Sequence, residues 1–153
     1  MSDPTSVTED ETPQHPAPTA ATRNSPLVFT FQESLRRLAA AKPEPSGAFA
    51  TQIELGHPAL ATTALYMMQL APNIRTAPYR TTANNVYAVV EGTGATTVDG
   101  ARFAWRRGDV IAAPAWRPHW HEASRDAILF RVTDEPVMRR FGWCREECPA
   151  LTH

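Results

Sequence analysis

Cysteine is scarce and confined to one end of the chain, where Cys144 and Cys148 are the two cysteines among 153 residues. A C-x3-C pair without two further, suitably spaced ligands does not make a zinc site, and two thiols do not make a disulfide framework. They read as reduced thiols in a terminal segment. An excess of one charge is missing too. Acids and bases are mixed along the chain and leave a net charge of −1, so there is no electrostatic footprint for nucleic acid. The pairs Arg106-Arg107 and Arg139-Arg140 read as solvated surface. No apolar run approaches bilayer-spanning length, and the N-terminus lacks the hydrophobic block of a signal peptide. The default expectation is therefore a cytoplasmic protein with no membrane or nucleic-acid partner. Gly92, Gly94, Gly100 and Gly108 are turn residues without a phosphate-binding spacing, and no internal repeat is visible.

Residues 1–25 have almost no large apolar side chains. They carry Pro4, Pro13, Pro16, Pro18 and the acidic cluster Glu9, Asp10, Glu11, a composition that cannot bury enough surface to offset its ordering entropy. A disordered arm over 1–25, one folded domain over 26–148 and a short tail over 149–153 are expected. Within the domain, residues 30–42 predict a helix. Thr30 and Glu33 fit a capping box, Phe31, Leu35 and Leu38 form one apolar stripe, and Pro43 and Pro45 stop it. Beyond it, strand signals dominate: 51–55, 60–70, 86–90, 95–98, 102–105, 110–113, 120–123 and 127–132. Asp99-Gly100 marks a two-residue hairpin. Residues 135–141 predict a terminal helix, begun by Asp134 and Pro136 and stopped by Gly142. Many short strands between Gly, Pro, Asn and Asp turns make an all-β barrel or sandwich.

The most informative stretch is residues 108–121, GDVIAAPAWRPHWH. A Gly-Asp turn opens a short apolar strand, Pro114 ends its pairing, and two histidines follow on alternate positions. In extended backbone His119 and His121 face the same side, while Glu122 faces the other and is expected in solvent. Paired imidazoles on a strand suit a divalent metal or an acid–base site. The alternative is a pair of hydrogen-bonded histidines filling the barrel mouth. Tyr79 and Tyr87 are expected to face the cavity, so phenols and imidazoles together could line a pocket for a small aromatic acid. Arg80, by alternation, should face outward. Arg75 and Arg131 are candidate carboxylate clamps that the sequence does not rank. Trp105, Trp116 and Trp120 fit core or interface positions, with Trp116 also a candidate substrate contact. His57 and His153 carry no role.

The EGTG turn, the VDG hairpin and the GDVIAAP run resemble the cupins, small jelly-roll barrels. APYRTTANNVYAVVEGTG, PAWRPHWHEA and LFRVTDEPVMRRFGWCREE resemble more closely the C-terminal half of the gentisate 1,2-dioxygenase family, with its salicylate and 1-hydroxy-2-naphthoate relatives. The resemblance implies a single cupin barrel, a role in aromatic-acid metabolism, and Fe(II) with O2 as the ring-opening chemistry. It also implies oligomers, either of this chain or with a companion cupin subunit. The family's first motif supplies two histidines as H-x-H and a glutamate. Here those places fall on Tyr79, Thr81 and Asn85, none a good ligand for a divalent ion. Of the second motif His119 is retained, with His121 as a weak second ligand. Three readings stand open at this point. One is an iron dioxygenase half, weak or inactive alone. Another is a metal-free cupin serving as a structural or small-molecule-binding subunit. The third is an isomerase or cyclase using His119, His121 and Tyr87 as acid–base groups without metal.

Overall fold

The computed structural model describes residues 27–56 and 60–148. The expected arm over 1–25, the tail over 149–153, His57 and His153 lie outside the described residues. The chain runs α1 (Phe31–Ala40), β1 (Thr51–Glu54), β2 (Ala64–Leu70), β3 (Arg80–Thr81), β4 (Asn85–Glu91), β5 (Thr93–Val98), β6 (Ala101–Arg106), β7 (Val110–Ala113), β8 (His119–Ala123), β9 (Ala127–Thr133), α2 (Glu135–Arg140) and β10 (Glu146–Glu147). Thr30 caps α1, its hydroxyl accepting the Glu33 amide, and the helix stops at Ala40, where Ala41 turns extended ahead of Pro43. That is two residues short of the expectation, because a residue shortly before proline is pushed out of helical backbone.

All pairings of named strands are antiparallel. One sheet has the order β1-β2-β9-β4-β7, a second β6-β5-β8, and β10 pairs with β3 in a two-stranded ribbon. Residues 72–79 extend the second sheet along β8 through isolated bridges, including Tyr79 to His119. The strand expected from residue 60 begins only at Ala64, since its partner β9 ends at Thr133, opposite Ala64, before the chain turns into α2. Asp99 and Gly100 both have positive φ, at 51° and 84°, which closes the β5–β6 hairpin as the dipeptide predicts.

Alternation sorts the side chains of the larger sheet. Met68, Leu70, Tyr87, Val89 and Leu129 join Phe49, Trp105 and Ala123 inside the barrel. Met67 and Ile128 point the other way and pack with Leu38 and Leu55 beneath α1. Burial of Leu38, 1% exposed, contributes about 2 kcal/mol to that contact. The helix covers the outside of the sheet and leaves the interior to the strands.

Candidate functional site

Register places the inward residues. On β8, His119 and His121 are both buried, while Glu122 lies on the outer side and pairs with Arg102 at 2.6 Å. Tyr79 and His119 exchange backbone hydrogen bonds of 2.9 Å each. Across the barrel, Tyr87 on β4 stands opposite Arg131 on β9, and Asn85 lies two positions along the same face. Tyr79, Tyr87, His119 and His121 thus meet as one cluster of rings, with centroids between 4.4 and 5.8 Å apart.

The hydrogen bonds fix the tautomer of His119 and tie His121 to Thr96. His119 Nδ1 lies 3.2 Å from the Arg117 carbonyl, which only accepts, so Nδ1 carries the proton. Its Nε2 is therefore an acceptor and takes the Tyr87 hydroxyl at 2.8 Å. Trp105 Nε1 donates to the Thr96 hydroxyl at 2.9 Å, and that hydroxyl is 2.8 Å from His121 Nδ1. A hydroxyl donates once and accepts twice, so Thr96 can meet either neutral tautomer of His121, whose Nε2 is a buried atom without a partner. Burial lowers the pKa of His119 to about 4, helped by the Arg131 charge and opposed by the Arg117 carbonyl. Burial also holds His121 well below the usual histidine value, with His119 and Arg131 adding to the effect. The Tyr87 phenol is pushed up to about 12 by burial, against the pull of Arg131. Burial raises Tyr79 as well, with Glu146 adding to it.

Sequence reasoning left two clamp candidates unranked, and the structure separates them. Arg75 lies over Trp120, 4.3 Å from the ring centroid. Arg131 is 2% exposed inside the barrel, its guanidinium over the rings of Phe49 at 4.1 Å and Tyr66 at 4.2 Å. Its Nη2 is 3.6 Å from Glu135, and its Nε and Nη1 have no partner. Phe49, Thr96 and the burial of Arg131 were missed from sequence. A lone arginine in the strand AILFRVT was the available signal. Arg139 is exposed as expected, and from the surface it joins Glu135 at 2.6 Å to Glu146 at 2.9 Å. Glu146 in turn accepts the Tyr79 hydroxyl at 3.1 Å, so β10 and α2 tie down the barrel mouth. Trp116 stands apart from the ring cluster, 37% exposed, with Arg80 over its ring at 4.6 Å. Arg80 faces outward as expected and pairs with Glu147.

The expected first-motif positions Tyr79, Thr81 and Asn85 all point inward and are buried. They do not fit a divalent metal. The Tyr79 hydroxyl is spent on Glu146 and the Thr81 hydroxyl on the Ala83 amide. The His119 lone pair is spent on Tyr87. A permanent guanidinium charge shares the space. No group of three His, Cys, Asp or Glu side chains suited to a metal occurs among the described residues. The ring cluster is also closely packed. A cavity of about 570 Å³ lies elsewhere, lined by Leu55, Leu65, Tyr66, Glu135, Arg139 and Arg140 among others.

Two facing antiparallel sheets around an inward pair of histidines are the arrangement of a cupin, and residues 66–133 match the cupin domain family. Over those residues the chain resembles a cupin domain, similar to that of the gentisate and salicylate dioxygenases. It is 43% identical over 96 residues to a 5-aminosalicylate 1,2-dioxygenase of Comamonas sp, covering 61% of this chain and 25% of that protein. It is 36% identical over 91 residues to gentisate 1,2-dioxygenase 1 of Aquipseudomonas alcaligenes, covering 60% and 26%. The salicylate 1,2-dioxygenase of Pseudoaminobacter salicylatoxidans, solved as its gentisate adduct, superposes with a TM-score of 0.73 at 21% identity. That match covers 80% of this chain and 37% of the other. The chain therefore spans about a quarter of the length of the curated relatives it matches. Among the described residues, no helix is long and apolar enough to cross a membrane.

Proposed function

We propose that this chain is the counterpart of the C-terminal cupin half of the ring-cleaving dioxygenases, serving aromatic-acid metabolism without an iron centre of its own. A companion cupin, another subunit, would hold the iron and the small aromatic acid. The observation that carries this reading is the Tyr87–His119 hydrogen bond. It consumes the one imidazole lone pair that the retained motif offers a metal. A non-haem Fe(II) needs about three protein ligands, and the remaining positions hold a phenol, a hydroxyl and an amide. The acid–base alternative is disfavoured by the same pair. With His119 lowered to about 4 and Tyr87 raised to about 12, neither exchanges protons readily near neutrality.

The test is metal analysis after anaerobic purification with Fe(II), alongside a gentisate ring-cleavage assay. We expect substoichiometric iron and little or no turnover from the natural chain. Tyr79→His with Thr81→His, together with Tyr87→Phe to free the His119 nitrogen, should raise the iron content. Adding His119→Ala should abolish that gain. One iron per natural chain, with turnover lost on His119→Ala, would overturn the reading.

A further inference from the structure

The two cysteines of the chain bracket its last strand. β10 pairs with β3 through Glu146–Thr81 and Glu147–Arg80, and the pairing runs on by one residue. There the Thr82 amide donates to the Arg145 carbonyl and the Arg145 amide to the Thr82 hydroxyl, both at 3.0 Å. Residues 145–147 are therefore extended, and their backbone angles alone set the distance from Cys144 to Cys148. Four steps of extended chain separate the two Cα atoms by about 13 Å, whereas a disulfide needs them within about 6.8 Å. The paired strand and a Cys144–Cys148 disulfide exclude one another. Both thiols are free, Cys144 Sγ lying 3.9 Å from Glu146 Oε1 and Cys148 Sγ 3.6 Å from the Ser46 carbonyl.

The strap that this strand fastens is held by polar contacts. No residue from 134 to 148 is buried. Glu146 accepts from Tyr79 at 3.1 Å and Arg139 at 2.9 Å, Glu147 lies 2.8 Å from Arg80 Nε, and Asp134 accepts from Asn84. Exposed ion pairs hold weakly, and a segment without buried apolar contacts opens more readily than the core unfolds. We propose that Cys144 and Cys148 form a redox pair whose disulfide releases this strap from the barrel mouth. The oxidant is a small disulfide such as oxidised glutathione. One thiolate attacks it, forming a mixed disulfide and releasing one glutathione, and the other cysteine then displaces the second. The pair loses two protons and two electrons, and one external disulfide becomes two thiols. Closing the Cys144–Cys148 ring requires a turn in place of β10. Glu146 is drawn off Tyr79 and Arg139, and Glu147 off Arg80, while β4, β8 and β9 keep their pairing. By linkage, whatever loosens the strap favours the disulfide to the same degree. Burial raises both thiols above the ordinary cysteine value, so exchange is slow and the populations are read at equilibrium.

The switch does not depend on whether the barrel holds iron. To test it, the full chain is equilibrated with mixtures of reduced and oxidised glutathione, and each sample is divided between mass spectrometry and amide hydrogen exchange. Oxidation should remove two hydrogens from the peptide that carries both cysteines. In the same samples the Thr82 amide, protected by the Arg145 carbonyl, should exchange roughly tenfold faster or more. The Tyr79 amide, which donates to the His119 carbonyl in the body of the barrel, should keep its rate, which separates strap release from unfolding. Cys144→Ser and Cys148→Ser should each retain the protection of the reduced chain and abolish the change at Thr82. Arg80→Ala, which removes the ion pair to Glu147, should form the disulfide at a several-fold lower ratio of oxidised to reduced glutathione. A Cys144–Cys148 disulfide that leaves Thr82 protected would overturn the proposal. So would a chain that, at saturating oxidised glutathione, stays reduced or yields only mixed disulfides and disulfides between copies.

Discussion

His119 and His121 enter the fold as neutral imidazoles, whereas in an unfolded chain each titrates near 6.5. The sign of the linkage follows. Between about pH 4 and 6.5 the unfolded chain binds more protons than the folded one, so stability rises with pH across that window. It is fully present above 6.5 and is lost as the pH falls towards 4. At pH 5.5, unfolding should take up about two protons per chain, measurable by calorimetry in buffers of different ionisation enthalpy. No uptake would mean that the imidazoles are already charged inside the barrel, against the lowering that burial imposes on both. The same residues show what a sequence can and cannot disclose. Alternation alone placed His119, His121, Tyr79 and Tyr87 on one inward face. The His119 proton is placed by the Arg117 carbonyl, and the hydrogen-bond partner of His121, Thr96, lies 25 positions from it.

At the scale of the element, local signals read well wherever a turn residue marked the boundary. The Asp99-Gly100 hairpin, the strand Val110–Ala113 and the Thr30 cap all follow from short-range chemistry. The two-residue strands β3 and β10 do not, because each exists only through the other across 66 positions, as the Glu146–Thr81 pairing at 65 and the Glu147–Arg80 pairing at 67 bracket it. Asp134 marks the start of α2 as expected, but its carboxylate accepts from Asn84 rather than capping the helix. Glycines in β5 and its hairpin separate two kinds of constraint. A Cβ on Gly94 would lie 2.2 Å from the Glu122 carbonyl oxygen and 2.5 Å from the Trp105 ring, whereas one on Gly100 meets nothing within 4 Å. Gly100→Ala should cost only the left-handed backbone penalty, about 1–2 kcal/mol. Gly94→Ala should cost several times more or prevent folding, because the backbone oxygen cannot retreat without breaking the β5–β8 ladder. Thermal melts of the two variants check the order, and equal losses would contradict the close approach.

For the whole molecule, the outer surface bears on assembly. Phe103 and Val110, 53% and 64% exposed, lie near one another beside β6 and β7, and Phe141 stacks on Trp143 with both rings largely in solvent. Apolar surface of this kind is more often covered than left wet. We expect a dimer, a higher oligomer or a complex with a companion cupin. Light scattering at high micromolar concentration checks this, and a monomer there would count against self-association. Phe103→Glu with Val110→Lys should shift an oligomer towards monomer without lowering the Tm by more than a few degrees, since both side chains point away from the core.

The strand order of the larger sheet carries a consequence for how the chain is made. β9 lies between β2 and β4, yet it is the last long strand in the sequence. While the polypeptide is being synthesised, the β1–β2 pair and the β4–β7 pair must wait, each with an unpaired edge, until Ala127–Thr133 has left the ribosome. The central strand is thus a keystone delivered late, and the interior around Tyr87 cannot close before Arg131 arrives with it. Any chain that stops short of Ala127 is left with two separate ribbons and a half-built barrel, the form in which exposed edges find one another and aggregate.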